Sequence, residues 1–351
     1  MTKTVLIVGA GATRAAGGRS AKKSLPPLDA DFFQIAKLLD RAATGRVSQH
    51  LETSLGEYAN TLCCSLETAT TYLYLKALDS KPNDSHHIAF LRMLDLLHLV
   101  LANNTNRLKT GPRSLMYRLL LSELERVVTP ENLTVITFNY DLLLERVLDE
   151  LSKHRAGAFF FPGCYRIKGL EASNVTGING RQEFHTGDLS NQGISVLKLH
   201  GSLNWQSNHT SQNPTPSAVT SINRALYVLD AVEISRSLSW RRNHRLVHMK
   251  PIIVPPVSGK RGIMHKDIVP LWKNAANALQ EAERIVIIGY SCPALDLEAR
   301  ILLSENLRKN DKKNVYVINP STETAARFSD ICGVDHITIY DSMDSWVRDA
   351  D

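Results

Sequence analysis

The sequence predicts an α/β protein, a Rossmann-like doubly wound parallel sheet that carries a helical insertion or small subdomain. Three observations support this fold class. Residues 5–8, Val-Leu-Ile-Val, form a continuous apolar run that stops at Gly9, as a central parallel strand should. Strand-like and helix-like segments alternate regularly over residues 250–341, which is the signature of a doubly wound sheet. Leucines recur at helical spacing between residues 31 and 128, with few strand signals.

The remaining elements follow in chain order. The strand in "NLTVITFNYD" precedes a helix whose apolar face consists of Leu143, Leu144, Val147, Leu148 and Leu151. Residues 156–250 are rich in Gly, Asn and Ser and contain "QSNHTSQNPTPSAV", whose turn residues predict a loop. Strands return in "KPIIVPP", "RIVIIGYS" and "NVYVINP", separated by helices near residues 266–279 and 295–307, and a last helix and strand pair ends at "HITIYD".

This pattern predicts one domain over residues 1–351. Its Rossmann-like core consists of residues 1–28 and 129–351, and residues 29–128 form the helical insertion. Within the core, residues 156–250 include a secondary, loop-rich insertion.

Composition narrows the class of protein. A chain of 351 residues with 43% hydrophobic content can bury a large core, and a net charge of +6 is too thinly spread to argue for nucleic acid as a partner.

The apolar run before Gly9 is too short for a signal peptide or a membrane span, so we expect a cytoplasmic protein. The five cysteines contain no C-x-x-C pair, and His244 and His248 have no third ligand nearby, so no metal site is predicted.

The first chemical motif is Gly-Ala-Gly-Ala-Thr, residues 9–13, directly after the first strand. Glycines at this place let the backbone approach a phosphate, and a tight turn without any ligand is the alternative. The dehydrogenase pattern G-x-G-x-x-G requires glycine where the chain has Arg14, and a phosphate-binding Walker loop requires glycine where it has Thr13. An ordinary dehydrogenase and a Walker nucleotide hydrolase are therefore disfavoured.

Polar residues follow several later strands. Asn139 and Asp141 come after "TVIT", His200 follows "VLKL", Ser291 follows "IVIIGY" and Asn319 follows "VYVI". Each has a structural explanation, since Asn139 or Asp141 suits a helix N-cap and a histidine at a strand end is often a hydrogen-bonded core residue. Their repetition at one edge of a predicted sheet favours a binding site, because ligands of such sheets bind at the carboxyl ends of the strands.

The motifs "GAGAT", "TFNYD", "KLHGS", "GYS" and "INP", in this order over residues 5–320, resemble the sirtuin-like superfamily of NAD-binding proteins. The resemblance implies that the predicted Rossmann-like core binds NAD. It places the loop of Gly9, Ala10, Gly11 and Thr13 at the pyrophosphate, and Gly289, Ser291 and Asn319 on the adenosine side. It also places Asn139 and Asp141 beside the nicotinamide ribose and makes His200 the catalytic group that contacts this ribose.

The chain differs from classical sirtuin deacylases in three features. Tyr140 stands where those enzymes usually have a small aliphatic residue. The chain has no pair of C-x-x-C motifs for a structural zinc, and a long helical stretch precedes "TVIT". Its arrangement is similar to that of the bacterial sirtuin-like NAD hydrolases of antiviral defence. The resemblance therefore implies an NAD hydrolase, in which Asn139 orients the attacking water, His200 serves as base and Asp141 stabilises positive charge or orients Asn139.

Two other function classes stay open from the sequence: an NAD-dependent protein deacylase or ADP-ribosyltransferase, and a module that binds NAD or ADP-ribose without turnover. The helical insertion either completes the core or carries a surface for partners. The resemblance to defence proteins implies homo-oligomerisation and a partner such as an ATPase or a nucleic-acid sensor. NAD is expected as a substrate, and no membrane partner is expected.

Overall fold

The structure is a computed structural model. It describes residues 3–18, 25–39, 65–81, 84–105, 108–161, 163–167, 175–177, 180–182, 192–209, 226–228, 239–242, 245–257, 259–260, 264, 268–307, 314–333 and 337–350.

A six-stranded, all-parallel sheet forms the centre of the molecule. Its strands are β1 (Thr4–Val8), β2 (Leu133–Thr137), β5 (Ser195–Lys198), β10 (Arg284–Ile288), β11 (Asn314–Ile318) and β12 (Ile337–Tyr340). Their order across the sheet is β12-β11-β10-β1-β2-β5, and each neighbouring pair runs parallel. This order confirms the predicted doubly wound fold. The chain leaves β1 toward β2 and β5 and later returns on its other side through β10, so the topological switch point lies between β1 and β10.

Helices flank this sheet in two groups. The helices of the whole described chain are α1 (Ala10–Ala16), α2 (Phe32–Leu38), α3 (Leu66–Leu78), α4 (Ser85–Thr105), α5 (Leu115–Arg126), α6 (Leu143–Ser152), α7 (Val269–Glu281), α8 (Leu297–Leu307), α9 (Thr322–Cys332) and α10 (Met343–Ala350). Helix α5 contacts α1, α6 and α10, whereas α8 contacts α7 and α9. Right-handed crossovers on the two sides of β1 place these groups on opposite faces of the sheet. Strands β1 and β10 are covered on both faces, which explains their unbroken apolar runs.

The helical region between β1 and β2 has a hydrophobic core of its own. Helices α2, α3 and α4 bury apolar residues against one another, including Phe32, Leu73 and Met93. This core touches the rest of the protein through Ile253 and Tyr140. Helix α5 also lies within the predicted insertion. Its Met116 and neighbouring apolar residues, however, pack in the main hydrophobic core, which is formed with the strands of the central sheet. Helix α5 is therefore part of the crossover from β1 to β2.

A second, antiparallel sheet follows β5 directly. It contains β6 (Gly201–His209), β7 (Leu226–Val228), β8 (Ser239–Arg242) and β9 (Arg245–Ile253) in the order β7-β6-β9-β8. A short hairpin of β3 (Val175–Gly177) and β4 (Gly180–Gln182) precedes it. Residues 206–209, predicted as the start of a loop, belong to β6, because they pair with β9 beyond an irregularity between Ser202 and Gln206. The rest of that predicted loop, residues 210–219, lies outside the described residues.

The sequence prediction also stops one element short at the C-terminal end. Helix α10 follows β12, and its Trp346 and Val347 are buried in the main core. Trp346 packs edge-on against Tyr340 with ring centroids 4.8 Å apart. A helix of eight residues offers only two turns of apolar periodicity, which explains why the pattern does not reveal it.

Candidate functional site

Hydrogen bonds continue across the sheet beyond the ends of its strands. The Leu199 N–H donates to the Thr137 carbonyl at 3.0 Å, and the Gly9 N–H donates to the Ile288 carbonyl at 2.9 Å. The Gly289 N–H likewise reaches the Ile318 carbonyl at 3.0 Å. The loops that follow β1, β2, β5, β10 and β11 therefore leave the sheet along one edge. The predicted site residues lie along this edge, at the carboxyl ends of the strands.

The glycines after β1 and β10 lie in direct backbone contact. The Gly11 N–H donates to the Gly289 carbonyl at 2.8 Å. A Cβ atom on Gly11 would lie 2.7 Å from that carbonyl oxygen, and one on Gly289, where φ is +57°, would lie 2.1 Å from the Ala12 nitrogen. This contact by itself requires glycine at both positions. The tight-turn explanation of the motif therefore has direct structural support, and phosphate binding by this loop stays a prediction.

Thr13, Asn139 and Asp141 form a hydrogen-bonded cluster at the ends of β1 and β2. The Asn139 side-chain amide donates to the Thr13 hydroxyl at 3.1 Å, and that hydroxyl donates to Asp141 Oδ2 at 3.0 Å. Asp141 Oδ1 accepts the Leu143 N–H at 2.9 Å and so satisfies a free amide at the start of α6, the structural role that the sequence offered as an alternative, although the N-cap itself is Leu142. Asn139 is only 8% exposed, and its amide orientation is fixed through Thr13.

A buried ion pair lies beneath this cluster. Lys198, at the end of β5, donates to the backbone carbonyl of Asp141 and lies 2.9 Å from Glu145 Oε1. The Tyr165 hydroxyl donates to the same carboxylate oxygen at 2.9 Å. Burial raises the pKa of Asp141, although the nearby Lys198 ammonium acts in the opposite direction. This network fastens the loop after β2 to β5 and α6.

His200 lies at the end of β5 and is 5% exposed. Its backbone carbonyl accepts the Val254 N–H at 2.7 Å, which ties the turn after β5 to the small sheet. Aromatic rings surround the imidazole: the ring centroids of Phe138, Tyr140 and Trp272 lie 5.2, 6.2 and 6.1 Å from its own. Phe138 and Tyr140 are the two chain neighbours of Asn139, so the structure places the predicted asparagine and histidine at adjoining positions of one edge.

Two charged residues that belong to none of the sequence motifs lie beside His200. Lys260 Nζ is 3.5 Å from His200 Nε2, and Asp296 Oδ1 is 3.6 Å from the same nitrogen. Lys260 and Asp296 form a closer ion pair of 2.9 Å. Burial, followed by the charge of Lys260, lowers the pKa of His200, which favours its neutral form. Burial alone would raise the pKa of Asp296, but His200 and Lys260 together lower it. Lys260, only 2.9 Å away, is the counter-ion of this carboxylate.

Two further residues complete the charged cluster. The Tyr290 hydroxyl donates to Asp296 Oδ2 at 2.9 Å, and Glu67 Oε1 lies 4.0 Å from Lys260 Nζ. Glu67 belongs to α3, so the helical region contributes a carboxyl group to this cluster. Burial raises the pKa of Glu67 to about 7, against the opposing effect of Lys260.

Ser291 and Asn319 lie on the other side of the switch point, after β10 and β11. Ser291 is exposed, and its backbone carbonyl accepts from Arg327 Nη1 at 2.6 Å. Asn319 Oδ1 accepts the Ser321 N–H at 3.0 Å, just before α9. The structure thus shows a local turn role for Asn319, and a contact of either side chain with a ligand stays a prediction.

Within the described residues, no group of three or more His, Cys, Asp or Glu side chains is arranged to hold a metal ion. His244 and the side chain of His248 lie outside this part of the chain. None of the described helices has both the length and the apolar character needed to cross a membrane.

Comparisons with known proteins give only distant structural likeness. No protein-family model matches the chain, and no curated protein matches it. A Sir2 homologue mutant in complex with ADP-ribose has a TM-score of 0.43 and 12% identity, covering 99% of this chain and 92% of that one. A Sir2 homologue in complex with NAD has a TM-score of 0.40 and 14% identity, covering 99% and 90%. These values are too low to support a function, and the strand order alone establishes the fold.

Proposed function

We propose that the protein is an NAD hydrolase, which releases nicotinamide and ADP-ribose from NAD. The observation that carries this proposal is the placement of Asn139 and His200 after the neighbouring strands β2 and β5, close to the switch point between β1 and β10. Ligands of doubly wound sheets bind in this crevice. The motif order along the chain, which resembles the sirtuin-like superfamily, suggests that the ligand is NAD.

The side chains suit the chemistry of the nicotinamide bond. Glycosidic cleavage passes through an oxocarbenium-like state, and it needs a positioned water and a base. A neutral His200 can accept a proton from a ribose hydroxyl or from water. Asn139 would orient the water. Asp141 would hold Asn139 through the shared Thr13 hydroxyl, which supports an orienting role for this carboxyl group.

The remaining predicted residues are proposed to hold the nucleotide. The loop of Gly9, Ala10, Gly11 and Thr13 would face the pyrophosphate, and Gly289, Ser291 and Asn319 would face the adenosine. Because the hydroxyl of Thr13 is engaged by Asn139 and Asp141, we propose that it acts on the ligand mainly by fixing Asn139.

The surroundings of His200 support water as the acceptor of ADP-ribose. Phe138, Tyr140 and Trp272 crowd the imidazole. An acyl-lysine or a protein acceptor needs a channel to the ribose, whereas water needs only a small space. We therefore propose hydrolysis ahead of deacylation or ADP-ribosyl transfer.

The biological role is proposed from the motif resemblance alone. Resemblance to sirtuin-like hydrolases of antiviral defence supports a cytoplasmic, homo-oligomeric effector that depletes NAD when activated. An ATPase or nucleic-acid sensor would be its partner. The helical region of α2–α4, with its separate core, is the proposed insertion that serves such contacts.

Nicotinamide release from NAD by the full chain, without any peptide, tests this function. We expect His200→Ala and Asn139→Ala to lower turnover by about 10²- to 10⁴-fold, the usual cost of losing a general base or its positioned reactant. His154→Ala and Asn277→Ala are matched controls, because both residues are exposed and lie outside the site. Full turnover in the His200 variant would remove this residue from the mechanism. Failure of the wild-type chain to bind NAD would overturn the proposal.

A further inference from the structure

The ion pair of Lys260 and Asp296 is buried and lies against His200. Their side chains are 2% and 4% exposed. Removing two charges from water is costly, and a well-packed apolar pair at such a position is often at least as stable. Stability alone therefore does not explain why this ion pair is buried. Its position beside the titratable ring of His200 suggests that its charges act on this ring.

The geometry brings both charges to one nitrogen atom. His200 Nε2 lies 3.5 Å from the ammonium nitrogen of Lys260 and 3.6 Å from Asp296 Oδ1. The Lys260 ammonium can only donate to Nε2 and the Asp296 carboxylate can only accept from it, so this nitrogen lies between a donor and an acceptor. At 3.6 Å the contact with Asp296 is longer than a hydrogen bond, as catalytic contacts often are before a ligand binds.

A carboxylate alone beside the ring would raise the pKa of His200. It would stabilise the imidazolium form and remove the base at neutral pH. The ammonium group of Lys260, 2.9 Å from Asp296, opposes the effect of this carboxylate on the ring.

We propose that Lys260 and Asp296 are positioning residues for His200: their paired charges hold the ring at Nε2, and the ammonium group keeps the carboxylate from stabilising the imidazolium form. This inference rests on the proposed function, since it assigns roles around the same histidine. It adds two residues that no sequence motif marks.

Other groups that face the ring or the pair need to be considered in the test. Glu298 of α8 acts on the ring through its charge. Glu67 of α3 faces Lys260, and the Tyr290 hydroxyl donates to Asp296. The rings of Phe138, Tyr140 and Trp272 contribute low-polarity surroundings. None of these side chains is replaced in the variants below, but the charge of Glu67 responds to both Lys260 and Asp296.

The test compares two variants that remove opposite charges. Lys260→Met leaves Asp296 beside the ring, so the pKa of His200 should rise. Asp296→Asn leaves Lys260 beside the ring, so the pKa of His200 should fall. Lys260→Arg keeps the charge and should stay close to the wild type. A residue that only supports the fold would not produce shifts of opposite sign.

The first readout is the titration of the His200 ring by NMR in the full chain with labelled histidine, its signal assigned by its loss in His200→Gln. The second is the acidic limb of the pH profile of kcat/KM for NAD, which should move to higher pH in Lys260→Met and to lower pH in Asp296→Asn. Lys153→Met, which removes an exposed lysine paired with Glu150, should leave both readouts unchanged.

Shifts in the same direction, or no shift in either variant, would overturn the proposal. Lys260→Gln replaces Lys260→Met if the latter does not fold, since it also removes the charge. The NMR titration requires no turnover. If NAD is not hydrolysed at all, the proposed function fails while the NMR comparison still decides whether the pair tunes His200.

Discussion

Two buried lysine–carboxylate pairs of the same length lie at the carboxyl edge of the sheet, and their surroundings differ. Lys198 and Glu145, 2.9 Å apart, also bind a backbone carbonyl and a tyrosine hydroxyl. Lys260 and Asp296, also 2.9 Å apart, keep both charges within 3.6 Å of the His200 ring. The first pair fastens the backbone after β2, whereas the second faces a group that titrates. The distance within an ion pair therefore says little about its role, and what decides the role is which other atoms its charges face.

Lys198→Met should give the largest effect on stability. It leaves the Glu145 carboxylate buried without its cation, which costs about 3–5 kcal/mol for a pair broken on one side. Urea denaturation measures the loss. If the comparison of the two pairs holds, this variant leaves the titration midpoint of His200 where it is, in contrast to Lys260→Met.

The exposed pair of Lys153 and Glu150 provides the control for that measurement. Its atoms are 2.6 Å apart, yet both side chains are open to solvent. Lys153→Met should change the denaturation midpoint very little, since exposed pairs contribute little. An equal loss in both lysine variants would mean that burial of the first pair is unimportant.

Thr13→Val is expected to have an intermediate effect. It removes the hydroxyl that donates to Asp141 and accepts from Asn139, at a cost of about 1–3 kcal/mol for buried groups left without a partner. NAD turnover should fall as well, because Asn139 loses its support. Both are measured on the same purified variant, by urea denaturation and by nicotinamide release.

Thr4→Val is the matched control for this change. Thr4 is equally buried, but its hydroxyl has no hydrogen-bond partner among the described residues. The replacement should leave stability unchanged or raise it slightly, and turnover should stay at the wild-type level. If Thr4→Val lost as much stability as Thr13→Val, the hydrogen bonds of Thr13 to Asn139 and Asp141 would contribute nothing measurable to the free energy of unfolding.

Glu67→Gln should change the pH dependence of stability. The pKa of Glu67 is raised from its ordinary value of 4.5 to about 7, so the folded state holds this proton more tightly than the unfolded state. The wild type therefore loses stability relative to the variant as the pH rises from about 4.5 through about 7. Denaturation midpoints of both proteins, measured below and above this window, test the sign. Parallel curves would contradict the burial of a titrating carboxyl group there.

The sequence is sufficient to predict the strands of the central sheet and the edge that carries polar residues. Apolar runs that end in Gly9, Asn139 or Gly289 follow from the physics of buried parallel strands, and these residues lie where the pattern places them. The glycine contact between the loops after β1 and β10 is not predictable in the same way, because it joins residues far apart in the chain.

The charged half of the site has no sequence signal. Lys260 and Asp296 are 36 residues apart and Lys260 and His200 are 60 apart, and none of these spacings follows a helical or strand period. Glu67 belongs to a helix of the inserted region, where a glutamate at a helix start usually faces solvent. Only the fold brings these groups together. Tyr290 lies inside the "GYS" motif, but the resemblance assigns a role only to its glycine and serine.

The backbone contact between Gly11 and Gly289 also restricts how the crevice can change shape. The loops after β1 and β10 are joined amide to carbonyl, with no room for a side chain between them. The two loops therefore form a continuous strip of backbone along the crevice at the switch point. A side chain at either glycine would meet the backbone of the other loop and push the two apart, so backbone atoms alone set their separation.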